Sequence, residues 1–335
     1  MTGTLASCRS PFKVFTMRSL FTLLLLVGTL HAADVKYPAM PKASSSLGAV
    51  ACDGYAYIYG GNSGKTHSYN NQTVLGTFHR LKLDGGTAWE ELPGGPIAQG
   101  VNLAANAGKI YRVGGMQPRN APGEPADTIS LDSASVYDPS TKKWSDLPKL
   151  PKGRSSHDVA VVGDTLYVMA GWCMNGKDGS SEWADTAYSL DLKAAKPGWK
   201  SVKQPFQRRA LTATALGSKL YVLGGLDVDA KPHNRVDVLD TATGKWSQGP
   251  DLPGGKVGFS PAATTLNDQV LVNTVEGPLY RLNKTGDAWE KVGESVSRRI
   301  VHRIVPHGNA VLMLGGSTRG DWDMATVERV EVAAK

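Results

Sequence analysis

The chain has 335 residues, 20% charged and 7% aromatic, with 38 glycines and 19 prolines. This is a globular composition rich in turn residues, and it excludes a disordered or collagen-like chain. The formal net charge of +7 is too mild to argue for nucleic acid as a partner.

The N-terminus reads as an export signal. Met17 and Arg18 precede an apolar run from Leu20 to Leu30, and small residues follow at Ala32 and Ala33, the order of a secretory leader. The run is too short for a membrane span. Residues 1–33 are therefore expected to be an extension plus signal peptide, with translation starting at Met17. Residues 34–335 are expected to form a single exported domain, periplasmic or extracellular, that does not insert into a membrane. Removing the leader takes away Arg9, Lys13 and Arg18 and no acid, so the charge falls to about +4 and nucleic acid is not expected.

Along the rest of the chain one pattern recurs. Residues 55–62 read "YAYIYGGN", 109–116 "KIYRVGGM", 165–172 "TLYVMAGW", 219–226 "KLYVLGGL" and 310–317 "AVLMLGGS". A worn copy, "QVLVNTVEG", starts at Gln269, with Asn273-Thr274 expected at the Gly-Gly position. Each copy but the last is followed by a tryptophan: Trp89, Trp144, Trp199, Trp246 and Trp289. A short strand ending in Asp or Asn precedes each one, as in "SVYD" and "DVLD", and prolines usually follow. Each unit reads as four strands. Strand a ends in a tight turn, strand b ends at Gly-Gly, strand c carries the acid and strand d the tryptophan. Evenly spaced short strands without helices predict an all-β fold.

The recurring Gly-Gly, Tyr-Asp and Trp resemble the kelch repeat, which builds β-propellers. Six copies imply a six-bladed propeller. The last copy ends after its strand c, so Val35 to Tyr37 are expected to supply the missing strand d and close the ring.

The repeat also disposes of a tempting triad. Ser156, His157 and Asp158 lie side by side, but thirteen residues before the Gly-Gly position the other copies have Leu47, Val101, Leu211, Ser260 and His302. His157 thus occupies a packing position on strand a. Its neighbours on a strand point away from it, and a Ser-His-Asp triad needs a histidine that touches both partners.

Sixteen residues before the Gly-Gly position stand Ser44, Ala98, Arg154, Arg208, Val257 (beside Lys256) and Arg299. Two readings fit the arginines. They pair with carboxylates of their own scaffold, or with Lys256 they ring the channel mouth as a cationic funnel for an anionic ligand.

The b–c connections open on the same face. They are long in the first three units and shortest in the fifth, which predicts a wall on one side and a notch over blade five. Long loops on a rigid scaffold are where binding residues collect. Candidates are His67 and Tyr69 in loop one; Arg119, Glu124 and Asp127 in loop two; Trp172, Glu182 and Trp183 in loop three; and Arg319, Asp321, Trp322 and Asp323 in loop six. The exposed tryptophans suit sugar stacking or a protein partner; the alternative is that Trp172 and Trp183 pack on each other. "DWD" and "DVDAK" lack the EF-hand spacing, so neither metal nor cofactor is expected. Cys52 belongs to an a–b turn and Cys173 to a b–c loop at opposite ends of their blades, too far apart to bridge.

Two functions follow. One is an exported scaffold binding a carbohydrate, acidic ones included, or an extracellular protein. The other comes from a weaker resemblance, to the sialic acid mutarotase (N-acetylneuraminate epimerase) branch of six-bladed kelch propellers. It rests on "LPGGP" from Leu92 to Pro96 and "AKPHNRVDVLD" from Ala230 to Asp240. That resemblance implies Arg235 as the sugar-facing arginine. Leu226 stands where the branch has an acid, leaving Asp227 or Asp229 as substitutes. A galactose-oxidase-like copper enzyme would need a Cys-crosslinked Tyr, and neither mature cysteine lies by a Tyr-His cluster.

Overall fold

The computed structural model describes residues 1–2, 36–65, 68–255, 257–318 and 323–334. The leader, and with it Val35, lies outside the described residues. From Lys36 onward the chain forms one body. Five four-stranded antiparallel sheets and a sixth of three strands follow one another as six blades, and the described residues contain no helix.

The innermost strands are Gly48–Cys52, Asn102–Asn106, Asp158–Val162, Thr212–Leu216, Ala262–Leu266 and Arg303–His307. All six line a central cavity of about 270 Å³. The core lies between neighbouring blades. Tyr57, Phe78 and Leu92 of blade one pack on Val101, Ile110 and Tyr137 of blade two. Truncating a fully buried ring such as Phe78 costs about 3–5 kcal/mol.

The recurring residues have physical reasons. Gly60 sits at φ 62°, and a Cβ there would lie 2.4 Å from the carbonyl oxygen of Ala98 in the next blade. Its neighbour Gly61 donates its N–H to that same oxygen at 2.9 Å. The bond recurs from Gly115 to Arg154, Gly171 to Arg208, Gly225 to Gly258 and Gly316 to Ser44, so the Gly-Gly corner is a blade-to-blade joint. The tryptophans make a second joint. The indole N–H of Trp144 donates to Pro93 O at 2.7 Å, and Trp89, Trp199, Trp246 and Trp289 donate likewise to Pro38, Pro148, Lys203 and Pro250.

The fifth blade corrects the register. Ala262 pairs with Asn273 as Gly48 pairs with Tyr59. The Gly-Gly position is therefore Thr274-Val275, one residue later than expected. Gly258, not Val257, is the counterpart of Arg154, and Pro261, not Ser260, is that of His157.

Closure also differs in detail. Lys36 and Tyr37 form no strand. The segment is held by Met40 N–H to Ala325 O at 2.7 Å and Ser44 N–H to Met324 O at 3.1 Å. Met40 packs with Leu312 and Leu314 of blade six. Among the described residues the N-terminal segment seals the ring by docking, without a full ladder.

Candidate functional site

The b–c loops and the d–a connections share one face, because each strand b ends opposite the start of strand a. At this face the residue two before each strand a takes a left-handed conformation: Ser46, Gly100, Ser156, Ala210, Ser260 and Val301, at φ values of 46–56°. They form a collar linked by backbone bonds such as Gly100 N–H to Ser46 O and Ser260 N–H to Ala210 O. The collar surrounds a pocket of about 60 Å³.

Beneath the collar the channel is crossed by side chains. Arg303 Nη1 donates to Asp158 Oδ2 at 3.1 Å, and its Nη2 to Asn102 Oδ1. Thr212 Oγ1 donates to the same Asp158 oxygen at 3.1 Å. This polar diaphragm separates the mouth pocket from the larger cavity. Asp158 of the apparent triad thus ties blade three to blades four and six. His157 is buried, and neither of its ring nitrogens has a hydrogen-bond partner; His302, its counterpart in blade six, is the same. Burial, aided by nearby Arg154 and Arg299 respectively and by Arg303, pushes both imidazoles down to about 3. They are neutral packing residues.

The three aligned arginines are buried and turn into their own blades. Arg154 Nη1 donates to Ala170 O and Thr186 O at 2.8 and 2.9 Å, under the Tyr188 ring. Arg208 Nη1 donates to Gly224 O and Arg235 O, and its Nη2 to Asp237. Arg299 Nη1 donates to Gly315 O and its Nη2 to Glu328. Each staples the corner at the end of strand b to the start of strand c. The scaffold reading describes this geometry. The three guanidinium groups are spent within their own blades and form no open ring, and Arg208 meets Arg235 at the carboxylate of Asp237. Lys256 lies outside the described residues.

The loops build the expected wall. Ser130 N–H donates to Met174 O, and Lys177 N–H to Asp127 Oδ1, joining loops two and three. Asn71 N–H donates to Asn120 O, joining loops one and two, and Gly64 N–H to Asp323 Oδ2, joining loops one and six. Loop five is a tight turn closed by Gly277 N–H to Thr274 O at 2.9 Å, as short as expected. Arg119 is committed to Asp127 through two bonds of 2.9 and 2.7 Å. Glu182 pairs with Lys152. His67, Arg319, Asp321 and Trp322 lie outside the described residues. Both Cys52 and Cys173 are free thiols, and no cluster of metal-ligating side chains occurs among the described residues.

Two groupings stand out at the inner edge of this face. The first is on blade four. Arg235, half-exposed, donates Nε–H to Asp237 Oδ1 at 2.9 Å, while buried Asp237 also takes Arg208. Asp227 Oδ2 meets His233 Nε2 at 2.9 Å on the same loop. Hydrogen bonds, the Lys231 backbone N–H first, hold the Asp227 carboxyl below its usual range. Asp229 is exposed beside Lys231. In the second grouping the contact of Trp172 with Trp183 is the alternative expected from the sequence, and Arg209 is the member that was not anticipated. Trp172 and Trp183 face each other across a two-residue ladder, ring centroids 5.9 Å apart. Arg209 stacks over both, at 4.2 and 5.5 Å. The doublet Arg208-Arg209 was visible in the sequence; which of the two faces inward was not.

Comparison with known proteins places this geometry in a class. A model of the Kelch motif matches residues 99–151 and 207–253. The solved structure of YjhT superposes with a TM-score of 0.70, covering 89% of this chain and 97% of that one at 17% identity. The chain is a six-bladed β-propeller that carries Kelch motifs in these segments.

Its sequence relatives fall in two groups. The chain is 24% identical to Kelch-like protein terF of Aspergillus terreus over 220 residues, 64% of this chain. It spans 46% of that relative's length, and 22% of Kelch-like protein 36 of Mus musculus. Two others match nearly end to end. These are the N-acetylneuraminate epimerases of Haemophilus influenzae, 26% identical, and Pasteurella multocida, 25% identical, each covering 96% of this chain and 98% of the relative.

Proposed function

We propose that this propeller binds a carbohydrate on the face carrying its b–c loops, and that the sugar is an acidic one of the N-acetylneuraminate kind. The observation that carries the reading is the blade-four loop. Arg235 is oriented by a buried carboxylate, beside the hydrogen-bonded pair Asp227–His233. A guanidinium held by one edge keeps its other donors for oxygens of the sugar. The two end-to-end relatives are named for that sugar, which supports the choice. The apolar run from Leu20 to Leu30 supports an exported location, which N-terminal sequencing of the protein from cell fractions checks.

A second reading is turnover, interconversion of the sugar's anomers. The Asp227–His233 pair favours it, because the reaction needs a group that takes the anomeric hydroxyl proton and returns one. As the C–O bond of the ring breaks, the hydroxyl proton passes to the base and the ring oxygen gains a proton. Reclosure on the other face reverses both transfers, so nothing is consumed.

Saturation-transfer NMR with N-acetylneuraminate tests binding, and exchange NMR between its α and β anomers tests turnover. Binding that disappears in Arg235→Ala is the expected result. Absence of saturation transfer to the sugar would end the carbohydrate reading. Binding without faster exchange would leave a binding protein and remove the second reading.

A further inference from the structure

Arg209 is the exception among the buried and half-buried arginines of this face. Arg208 and Arg299 each have a carboxylate, Arg154 has two carbonyls, and Arg235 shares Asp237. No carboxylate or carbonyl accepts from the Arg209 guanidinium among the described residues. Its Nε is buried without a partner, and so is the Nε1 of Trp172 beneath it. A guanidinium cannot shed its proton in a protein, and a desolvated cation without a counter-charge is costly. The two indole faces offset part of that cost, and the Tyr69 phenol nearby favours the cation, but neither supplies a counter-charge.

Its setting is a built one. Arg209 N–H donates to Leu226 O at 3.0 Å, and Leu226 N–H to Arg209 O at 2.8 Å. Leu226 immediately precedes Asp227, and Ala210, the next residue after Arg209, lines the mouth pocket. Arg209 therefore stands between the mouth of the channel and the loop bearing Asp227, His233 and Arg235. The indoles fix its plane, because Trp172 is tied to Ser155 by backbone bonds of 3.0 and 3.1 Å in both directions.

We propose that Arg209, framed by Trp172 and Trp183, is the receptor for the carboxylate of the ligand. This rests on the carbohydrate reading for the identity of the ligand, but not for the chemistry of the subsite. A carboxylate supplies the missing counter-charge and accepts two parallel N–H bonds. The indoles beside it offer a surface for the sugar ring.

The test is a titration of intrinsic tryptophan fluorescence on the full chain. The probes are N-acetylneuraminate, glucuronate and acetate, with N-acetylmannosamine and glucose as neutral controls. The variants are Arg209→Gln and Arg209→Lys, both checked for fold by circular dichroism. The expected result is saturable quenching by the acids alone. Affinity should fall roughly ten- to a hundredfold in Arg209→Gln, the loss of a charged pair of hydrogen bonds. Arg209→Lys should recover only part, lacking the planar fork.

The two proposals fail separately. Acidic sugars that bind Arg209→Gln as well as the wild type would overturn this subsite and leave carbohydrate binding standing. Neutral sugars binding as tightly as acids would do the same. Quenching by acetate that vanishes in Arg209→Gln, with no sugar bound, would uphold the subsite and defeat the carbohydrate reading. No response to any carboxylate would overturn the subsite.

Discussion

Arg208 and Arg209 are consecutive, yet they belong to two different regions of the molecule. Arg208 lies in the layer where blades are stapled, with its charge met by Asp237 and its Nη1 by two carbonyls, though its Nε, like that of Arg209, is buried without a partner. Arg209 lies one residue further along, on the loop face, with two aromatic rings and no counter-charge. The contrast separates architecture from site. In the stapling layer each guanidinium finds carboxylate or carbonyl acceptors within the scaffold. On the loop face some are left for a ligand to answer.

The largest effect expected on that contrast comes from Asp237→Ala. Removing the carboxylate strands Arg208 as an unpaired buried charge, a loss of about 3–5 kcal/mol, read as a shift in the urea midpoint. Arg209→Gln should cost less than about 1 kcal/mol, because losing the cation–π stack also relieves a partly desolvated cation without a counter-charge. Equal losses in the two variants would erase the distinction between the layers.

Next is the response to acid. His157 and His302 have folded values near 3, well below the ordinary 6.5. Between those values the unfolded chain binds more protons. Stability is therefore complete above pH 6.5 and is withdrawn as the pH falls toward 3. The slope is about 1.4 kcal/mol per pH unit for each histidine, or about 2 kcal/mol each at pH 5. Leucine occupies the same position in blades one and four, as Leu47 and Leu211. His157→Leu with His302→Leu should flatten this part of the pH profile in denaturant melts. An unchanged slope would show that these histidines are not the proton-linked groups.

Smaller still is Trp144→Phe. It keeps most of the ring packing against Tyr137 and Phe78 but loses the indole bond to Pro93. The expected cost is about 1 kcal/mol, measured by thermal unfolding at neutral pH. A loss several times larger would mean that ring shape, rather than the joint between blades, is what the tryptophan supplies.

Much of the fold was legible because its rules are local and repeated. Gly60 and Trp89 do in one blade what Gly224 and Trp246 do in another, and repetition made them readable without coordinates. The joined loops of the wall and the short fifth loop followed from loop lengths alone. The one-residue offset in blade five escaped because no Gly-Gly marks its corner, and only the pairing of Ala262 with Asn273 reveals it. The site was less legible. Arg154, Arg208 and Arg299 drew attention by recurring, and recurrence proved to mark a structural duty. Arg209 does not recur.

The chain by itself determined the class of fold, the number of blades, the packing role of His157 and the separation of the two cysteines. Each rests on periodicity, or on which end of a strand a residue occupies. Only the tertiary structure decided which charges are answered. Arg303 meets Asp158 across 145 positions of sequence, and Trp183 reaches Arg209 from a neighbouring blade. Ring closure brings these residues together, and a pairing made by closure leaves no trace in local spacing.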